Sequence, residues 1–519
     1  MQQSWYAVLS GYSCSFYSAP HRWCLRFRLE LCLLLCLLFT ACMPIPTIRL
    51  DLDLDPPAFA LDPARVSSSY YQLEGYPAEN SPEAYNRAPY LRYFIPEGRA
   101  RQARDTIIVV VPGLFAGASD VDILARQVVA AIPGVEVWST ERRANLLEDR
   151  LGSQQALATG DPWAAYAYYI RDAGTPEGFQ ALEPEDLDFM RTWGLELHLR
   201  DLHSVVVEAR QQADTVILAG YSLGGSIAGF YAAFAIDEQH SGQDFIDGLL
   251  LIDGVLGRSG AFDRPGELRV GPVNLAPSIQ ELEAGAGRPF FSIGPFSPNA
   301  MARAEARALL AHLRPDALAP AGSRHFPLSN RALLGLRHSD RYGLSTVFSS
   351  SLGEPTNARF AGNLPAFIAS GRQGAFSRSV AGLAEGAEYV GWRDDPASGA
   401  RVSIAEFAAL WAHPDANRNE WYFPVRLALD IVQYDVRLEN SPLFIPNAAV
   451  MVPTLAVGAE RGLVQNLRDF SAYSNVRSGS FFSSYIIPNY THGDIVHARD
   501  NVLVALLVRW LPLIRRLPR

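Results

Sequence analysis

Gly220-Tyr221-Ser222-Leu223-Gly224 spells G-x-S-x-G at the corner between a strand-forming run, "TVILAG", and an apolar small-residue run that begins at Gly224. The placement gives the pattern its meaning. A serine lifted off a strand at the start of a helix must adopt strained backbone angles, so the residues two positions either side must be small. Gly220, Gly224 and Gly225 provide that space. The turn raises the hydroxyl clear of the sheet and points the following backbone N–H groups at it, which is how a nucleophile is presented. Serine also needs a base, because its hydroxyl is barely ionised at neutral pH. Beyond His21 the candidates are His198, His203, His240, His312, His325, His338, His413, His492 and His497. Other covalent chemistries are closed. The chain has no lysine, which removes Schiff bases, serine–lysine dyads and the phosphate-loop lysine. Its cysteines are Cys14, Cys24, Cys32, Cys36 and Cys42, so beyond Cys42 there is no disulfide, thiolate nucleophile or cysteine metal site.

The elements that must position the serine alternate. "SSYYQLEG" and "PYLRYFIPEG" read as strands closed by turn residues, and "DTIIVVVPG" as a strand buried on both faces. A helix over "SDVDILARQVVAAI", a strand at "VEVWST", and helical signals through "PEDLDFMRTWGLELHLRDLHSVVVEARQQA" lead to "TVILAG". After the serine come a helix and the strand in "DFIDGLLLIDG". This order predicts a mostly parallel sheet covered by helices, an α/β class. Between Asp253 and Val452 the alternation breaks into a stretch rich in glycine, proline and aromatics. Helices are expected there at "SPNAMARAEARALLAHLRP", capped by Ser297, and at "SIAEFAALWAHP", where Ser403 and Glu406 are spaced as a capping box. The parallel pattern resumes at "VPTLAVGAE" and "SSYIIPNY" and closes with the helix-like "IVHARDNVLVALLVRWLPLI". The expected organisation is a sheet core over 68–254 and 451–519 carrying a mainly helical and irregular insertion over 255–450.

With these residues the chain resembles the α/β-hydrolase family of serine hydrolases, of the esterase and lipase kind, over most of 68–254 and 451–519. The resemblance implies an eight-stranded, mostly parallel sheet and the chain order serine, acid, histidine. It implies His492, just after the last strand, as the base, with His497 structural; a metal site of His492, Asp494 and His497 is the weaker reading of that segment. The acid is expected after the next-to-last strand, where Glu460 is the carboxylate of the turn "VGAERGLV". Its register departs from the family's by about one residue, and Asp469 and Asp253 are the rivals. The oxyanion hole is expected from the N–H groups of Leu114 and Leu223, Phe115 being the alternative first donor. Here Pro112-Gly113 replaces the family's usual His-Gly. "STERRANLLEDR" reads either as a lining of the site or, the stronger reading, as a solvated loop with ion pairs, while "NEWYFPVRLALD" and "RHFPLSNRALLG" supply aromatics suited either to an acyl pocket or to the insertion's own core. No metal or organic cofactor is required. The implied chemistry is hydrolysis of a small-molecule or lipid-like ester through an acyl-enzyme. A peptidase or acyltransferase would use the same residues, and a surface lipoprotein that binds without turnover is the reading from a different class.

The remaining signals concern address and partners. Arg22, Arg26 and Arg28 precede "LCLLLCLLFTAC", an apolar run too short to span a membrane but suited to an export signal. Its ending resembles a bacterial lipoprotein signal, which implies lipidation at Cys42, a membrane-anchored exported protein and a signal over 1–42; an ordinary signal peptide and an uncleaved anchor are the other readings. "PIPTIRLDLDLDPPAFALDPARV" then reads as a tether over 43–67. A formal charge of −9 argues against a nucleic-acid partner.

Overall fold

The computed structural model describes residues 59–96, 106–254, 269–270, 273–274, 276–320, 325–343, 349–365, 376–433, 443–444, 450–470 and 482–517. The export signal, Cys42 and the first part of the tether lie outside the described residues. Among those described, eight strands form one sheet: β1 Ser67–Glu74, β2 Arg87–Phe94, β3 Thr106–Val111, β4 Val135–Thr140, β5 Thr215–Tyr221, β6 Gly248–Ile252, β7 Thr454–Arg461 and β8 Phe482–Thr491. Their spatial order is β1-β2-β4-β3-β5-β6-β7-β8. Strand β2 is antiparallel to β1 and β4, and the remaining pairings are parallel. This is the α/β-hydrolase sheet that the resemblance implies.

The central strands are apolar on both faces because helices cover both. In β3, Ile107, Val109 and Val111 pack on one side, while Ile108 and Val110 pack on the other. β5 and β6 divide in the same way, Leu218 and Leu249 against Ile217 and Leu250. The first face is covered by α2 (Leu195–Gln212) and α3 (Leu223–Ala233), the second by α1 (Asp122–Ala131) and α5 (Val502–Ile514). Each fully buried Leu, Ile or Val contributes about 1.5–3 kcal/mol. The expected closing helix is two: a turn at Asp494–His497 and then α5, whose start is capped by the Asn501 side chain accepting from Leu503 N–H at 3.0 Å. The tether also ends sooner than expected. Phe59 and Leu61 pack on the second face, Val66 is buried, and Leu61 N–H donates to the Ala130 carbonyl at 3.1 Å.

The insertion between β6 and β7 is less helical than its composition implies. It holds α4 (Pro298–Leu313), where Ser297 accepts from Ala300 N–H at 3.3 Å, and shorter helices such as Ile404–Ala409 behind its Ser403–Glu406 capping box. It also contains small antiparallel hairpins and strand pairs, such as Ala358–Pro365 with Phe376–Leu383. Leu333, Leu352, Trp392, Phe407 and Trp411 give it a core of its own. Among the described residues no helix is long and apolar enough to cross a membrane.

One histidine of α2 gives this core a pH dependence. His198 is buried, and its Nδ1 lies 2.7 Å from the Gly194 carbonyl. Burial pushes its imidazole down to about 3, against the opposing pull of that carbonyl. The folded protein therefore keeps His198 neutral while the unfolded chain protonates it near pH 6.5. Its contribution is intact above that pH and is lost as pH falls toward 3. Relative to His198→Leu, wild type should lose about 1.4 kcal/mol of unfolding free energy per pH unit between pH 6 and 4, measured by urea denaturation.

Candidate active site

Ser222 sits where β5 hands over to α3, at φ 57° and ψ −122°. The surroundings show why the turn must be built from glycine. A Cβ on Gly220 would lie 2.0 Å from the Gly224 carbonyl oxygen, and one on Gly224 would lie 2.0 Å from that of Val111. The bend is fixed by Ser222 N–H donating to the Ile252 carbonyl at 2.9 Å, so the end of β6 holds the serine by its backbone. Gly254 then passes so close that a Cβ there would meet the Ser222 carbonyl oxygen at 2.0 Å.

Asp253, between those two contacts, is the carboxylate that meets the histidine. Its Oδ2 lies 2.6 Å from His492 Nδ1, and both side chains are buried. Oδ2 also accepts from Leu463 N–H at 3.0 Å, while Oδ1 accepts from Ala459 N–H at 3.1 Å and Val464 N–H at 2.9 Å. With Asp253 ionised, the histidine bond requires the proton on Nδ1 and leaves Nε2 as the ring's free base. The imidazole is stacked on Tyr221, centroids 4.8 Å apart, and the Tyr221 hydroxyl donates to the His492 carbonyl at 3.1 Å. Ser222, Asp253 and His492 thus lie at one edge of the sheet, at the carboxyl ends of β5, β6 and β8.

Glu460 is not brought to this histidine. Its side chain is exposed and accepts from Asn489 N–H at 2.7 Å. The end of β7 and the turn after it contribute backbone instead, since the amides that cradle Asp253 belong to Ala459, Leu463 and Val464. Gly462 is needed there, because a Cβ would fall 2.1 Å from Asp253 Oδ2. Asp469 is exposed and caps a short helix, accepting from Gln465 and Asn466 N–H. The order along the chain remains serine, acid, histidine, with the acid one strand earlier than expected.

His497 and Asp494 are committed elsewhere. His497 lies between the Ser350 hydroxyl at 2.9 Å and the Asp120 carbonyl at 3.0 Å. Asp494 accepts from Ser351 N–H and its hydroxyl, each at 2.7 Å, and from Thr491 N–H at 2.9 Å. These contacts pin the loop that carries His492 to Ser349–Ser351 of the insertion. Gly493 N–H and the Thr491 hydroxyl both donate to the Ser349 carbonyl, at 3.1 and 3.0 Å.

The loop after β3 closes the other side. A Cβ on Gly113 would lie 3.0 Å from Ser222 Cβ and 3.5 Å from its Oγ, so the backbone runs directly beside the serine. Phe115 holds φ 56°. Among the described residues, no acceptor is found for the N–H groups of Leu114, Phe115 or Leu223. Phe115 stacks on Phe296 at 4.6 Å and meets Phe423 and Phe291 edge-on at 5.2 and 5.9 Å. Of the insertion's aromatics, Phe423 therefore reaches the site, while Trp421 and Tyr422 pack into a neighbouring core and Phe326 into the insertion's own.

"STERRANLLEDR" is no solvated loop. Arg142 and Arg143 are buried, Arg143 against Asp201 at 2.6 Å and Arg142 against Glu420 at 2.7 Å. Buried guanidinium groups need such partners, and those partners lie 58 and 278 positions away in sequence. No local signal announces them.

No family model and no curated protein sequence matches the chain. Among solved structures, a lipase described as putative from Sulfolobus solfataricus is 15% identical, over 89% of this chain and 98% of its own, at TM-score 0.47. A peroxisomal α/β-hydrolase from Saccharomyces cerevisiae is 12% identical over 88% and 91%, at TM-score 0.40. Epoxide hydrolase A from Mycobacterium thermoresistibile is 10% identical over 86% and 98%, at TM-score 0.38. These are distant likenesses of chain path and carry no information about this site's chemistry.

The Asp253–His492 contact is testable without any substrate. Its Nδ1 proton should give a resonance well downfield of the amide envelope. Asp253→Asn should abolish that resonance, and Glu460→Gln should leave it in place.

Proposed function

We propose that the chain is a serine hydrolase that cleaves carboxylic esters with an apolar acyl group through an acyl-enzyme. The observation that carries this reading is the buried Asp253–His492 bond at the same sheet edge as the strained Ser222 turn. A carboxylate on Nδ1 leaves Nε2 to take the Ser222 proton as Oγ attacks the ester carbonyl, and it stabilises the imidazolium that forms. The negative charge that develops on the carbonyl oxygen meets the N–H groups of Leu114 and Leu223. Collapse expels the alcohol, which takes the proton from His492. Water then attacks the acyl-enzyme, with His492 again as base, and releases the acid and free Ser222. No metal or organic cofactor enters these steps.

The apolar-acyl part of the proposal rests on half-buried Phe115 and Phe296, which stack beside half-buried Leu114 and Leu223 and are backed by buried Phe291 and Phe423. The amino-terminal sequence adds an export signal and a lipid anchor at Cys42, which would hold the enzyme at a membrane surface close to lipid-like esters.

Hydrolysis of p-nitrophenyl esters of increasing acyl length tests the whole reading. Ser222→Ala should abolish turnover, Asp253→Asn should lower kcat by about 10³–10⁴, and Glu460→Gln should stay within about twofold of wild type. A folded wild type without Ser222-dependent turnover, or an unaffected Asp253→Asn, would overturn it. Phe296→Ala should raise KM for long acyl chains by about tenfold and leave acetate esters nearly unchanged, since truncating an aromatic wall removes about 1–2 kcal/mol of apolar contact.

A further inference from the structure

The loop beside Ser222 is short, contains a residue at positive φ and has no regular secondary structure to hold it, yet a donor in an oxyanion hole must be aimed to within a fraction of an ångström. Besides a turn bond from Ala116 N–H to the Gly113 carbonyl at 3.3 Å, one buried side chain reaches three of its carbonyls. Arg142, just beyond β4, donates from Nη2 to the carbonyls of Gly113 at 2.8 Å and Ala116 at 2.9 Å, and from Nη1 to that of Pro112 at 3.3 Å. Its Nε donates to Glu420 Oε2 at 2.8 Å, and its planar group lies over the Phe423 ring at 5.4 Å.

A trans peptide points its C=O and the following N–H in opposite directions. Holding the Gly113 carbonyl on Arg142 therefore turns the Leu114 N–H away from Arg142, on the loop that runs beside Ser222. Glu420 is itself fixed by the backbone. Its N–H donates to the Phe115 carbonyl at 2.9 Å, Gly117 N–H donates to the Arg418 carbonyl at 2.8 Å, and Ser119 N–H donates to that of Asn417 at 3.1 Å. A Cβ on Gly117 would lie 2.3 Å from the Asn417 oxygen, so the approach depends on that glycine. Residues 417–420 of the insertion run as a short antiparallel brace along the oxyanion loop.

We propose that Arg142, held in place by Glu420 of the insertion, is the positioning residue of the oxyanion hole: by fixing the Gly113 carbonyl it aims the Leu114 N–H at the substrate carbonyl oxygen. The inference rests on the serine-hydrolase reading above. It makes the insertion a fixed part of the catalytic frame at this point. A guanidinium is required because a lysine ammonium lacks the planar fork that reaches several carbonyls and a carboxylate at once.

The test compares wild type with Arg142→Lys and with the double variant Arg142→Met/Glu420→Leu. The double change removes both charges together, so no unpaired ion remains buried. A purely structural pair would then leave kcat at the wild-type value. The positioning role predicts a kcat 10- to 100-fold lower for the double variant at similar melting temperature, with KM within threefold. Arg142→Lys should fall between, and amides 113–117 should exchange with deuterium faster in both variants. Wild-type kcat and exchange in Arg142→Lys and the double variant would overturn the proposal. Should the double variant not fold, Arg142→Lys decides alone by the same readouts. Absence of Ser222-dependent turnover in wild type sinks the hydrolase reading instead, and unchanged exchange in Arg142→Lys would then still overturn the inference.

Discussion

The carboxylate of Asp253 is the point on which the rest of the site hangs. Its two oxygens accept from three backbone N–H groups, one at the end of β7 and two in the turn after it, and meet the Nδ1 of His492. A buried carboxylate is tolerated only when it is so satisfied. The same residue sits between Ile252, which accepts the Ser222 N–H, and Gly254, which abuts the Ser222 carbonyl. One residue thus sets the distance between the end of β6, the turn after β7 and the loop after β8. Charge at this position organises backbone from three strands, and the serine's bend is registered against the same strand end.

What could be read in the sequence divides along a physical line. The serine turn is a local device: glycine spacing, a strand before and a helix after fall within a dozen residues, and the structure places Ser222 where that pattern says. The central strands were legible for a similar reason, since strands buried on both faces are continuous apolar runs, while the eight-stranded sheet was what the family resemblance implied. His492 was placed by its position after the last strand. The acid could not be placed in this way. Any carboxylate near the end of β6 or β7 reaches the same edge, and the choice is made by which one the turn amides solvate. Glu460, one residue too early in its turn, points outward, whereas Asp253 at φ 42° points in. Of the two readings of the Arg142 segment, the solvated one gives way, because the burial of Arg142 and its partner far along the chain are properties of the packed insertion.

The insertion also takes on a different character from that of a flap. It meets the sheet domain at two working loops. Residues 417–420 run along the loop after β3, and Ser349–Ser351 hold the loop of His492. Between these contacts it has a core of its own, with large aromatics such as Trp392 and Trp411. Its stability and the geometry of the site are therefore linked, and a change deep within that core would be felt at His492 and at the loop after β3 together.

The backbone of Ser222 carries a further implication. A non-glycine residue at φ 57° and ψ −122° stands in a region that glycine alone occupies easily, at a cost on the order of 1–3 kcal/mol. The fold would be more comfortable with glycine there and would then have no hydroxyl to offer. Durability and reactivity thus pull against each other at a single torsion pair. The hydroxyl at this corner is kept only together with the strained torsions that present it.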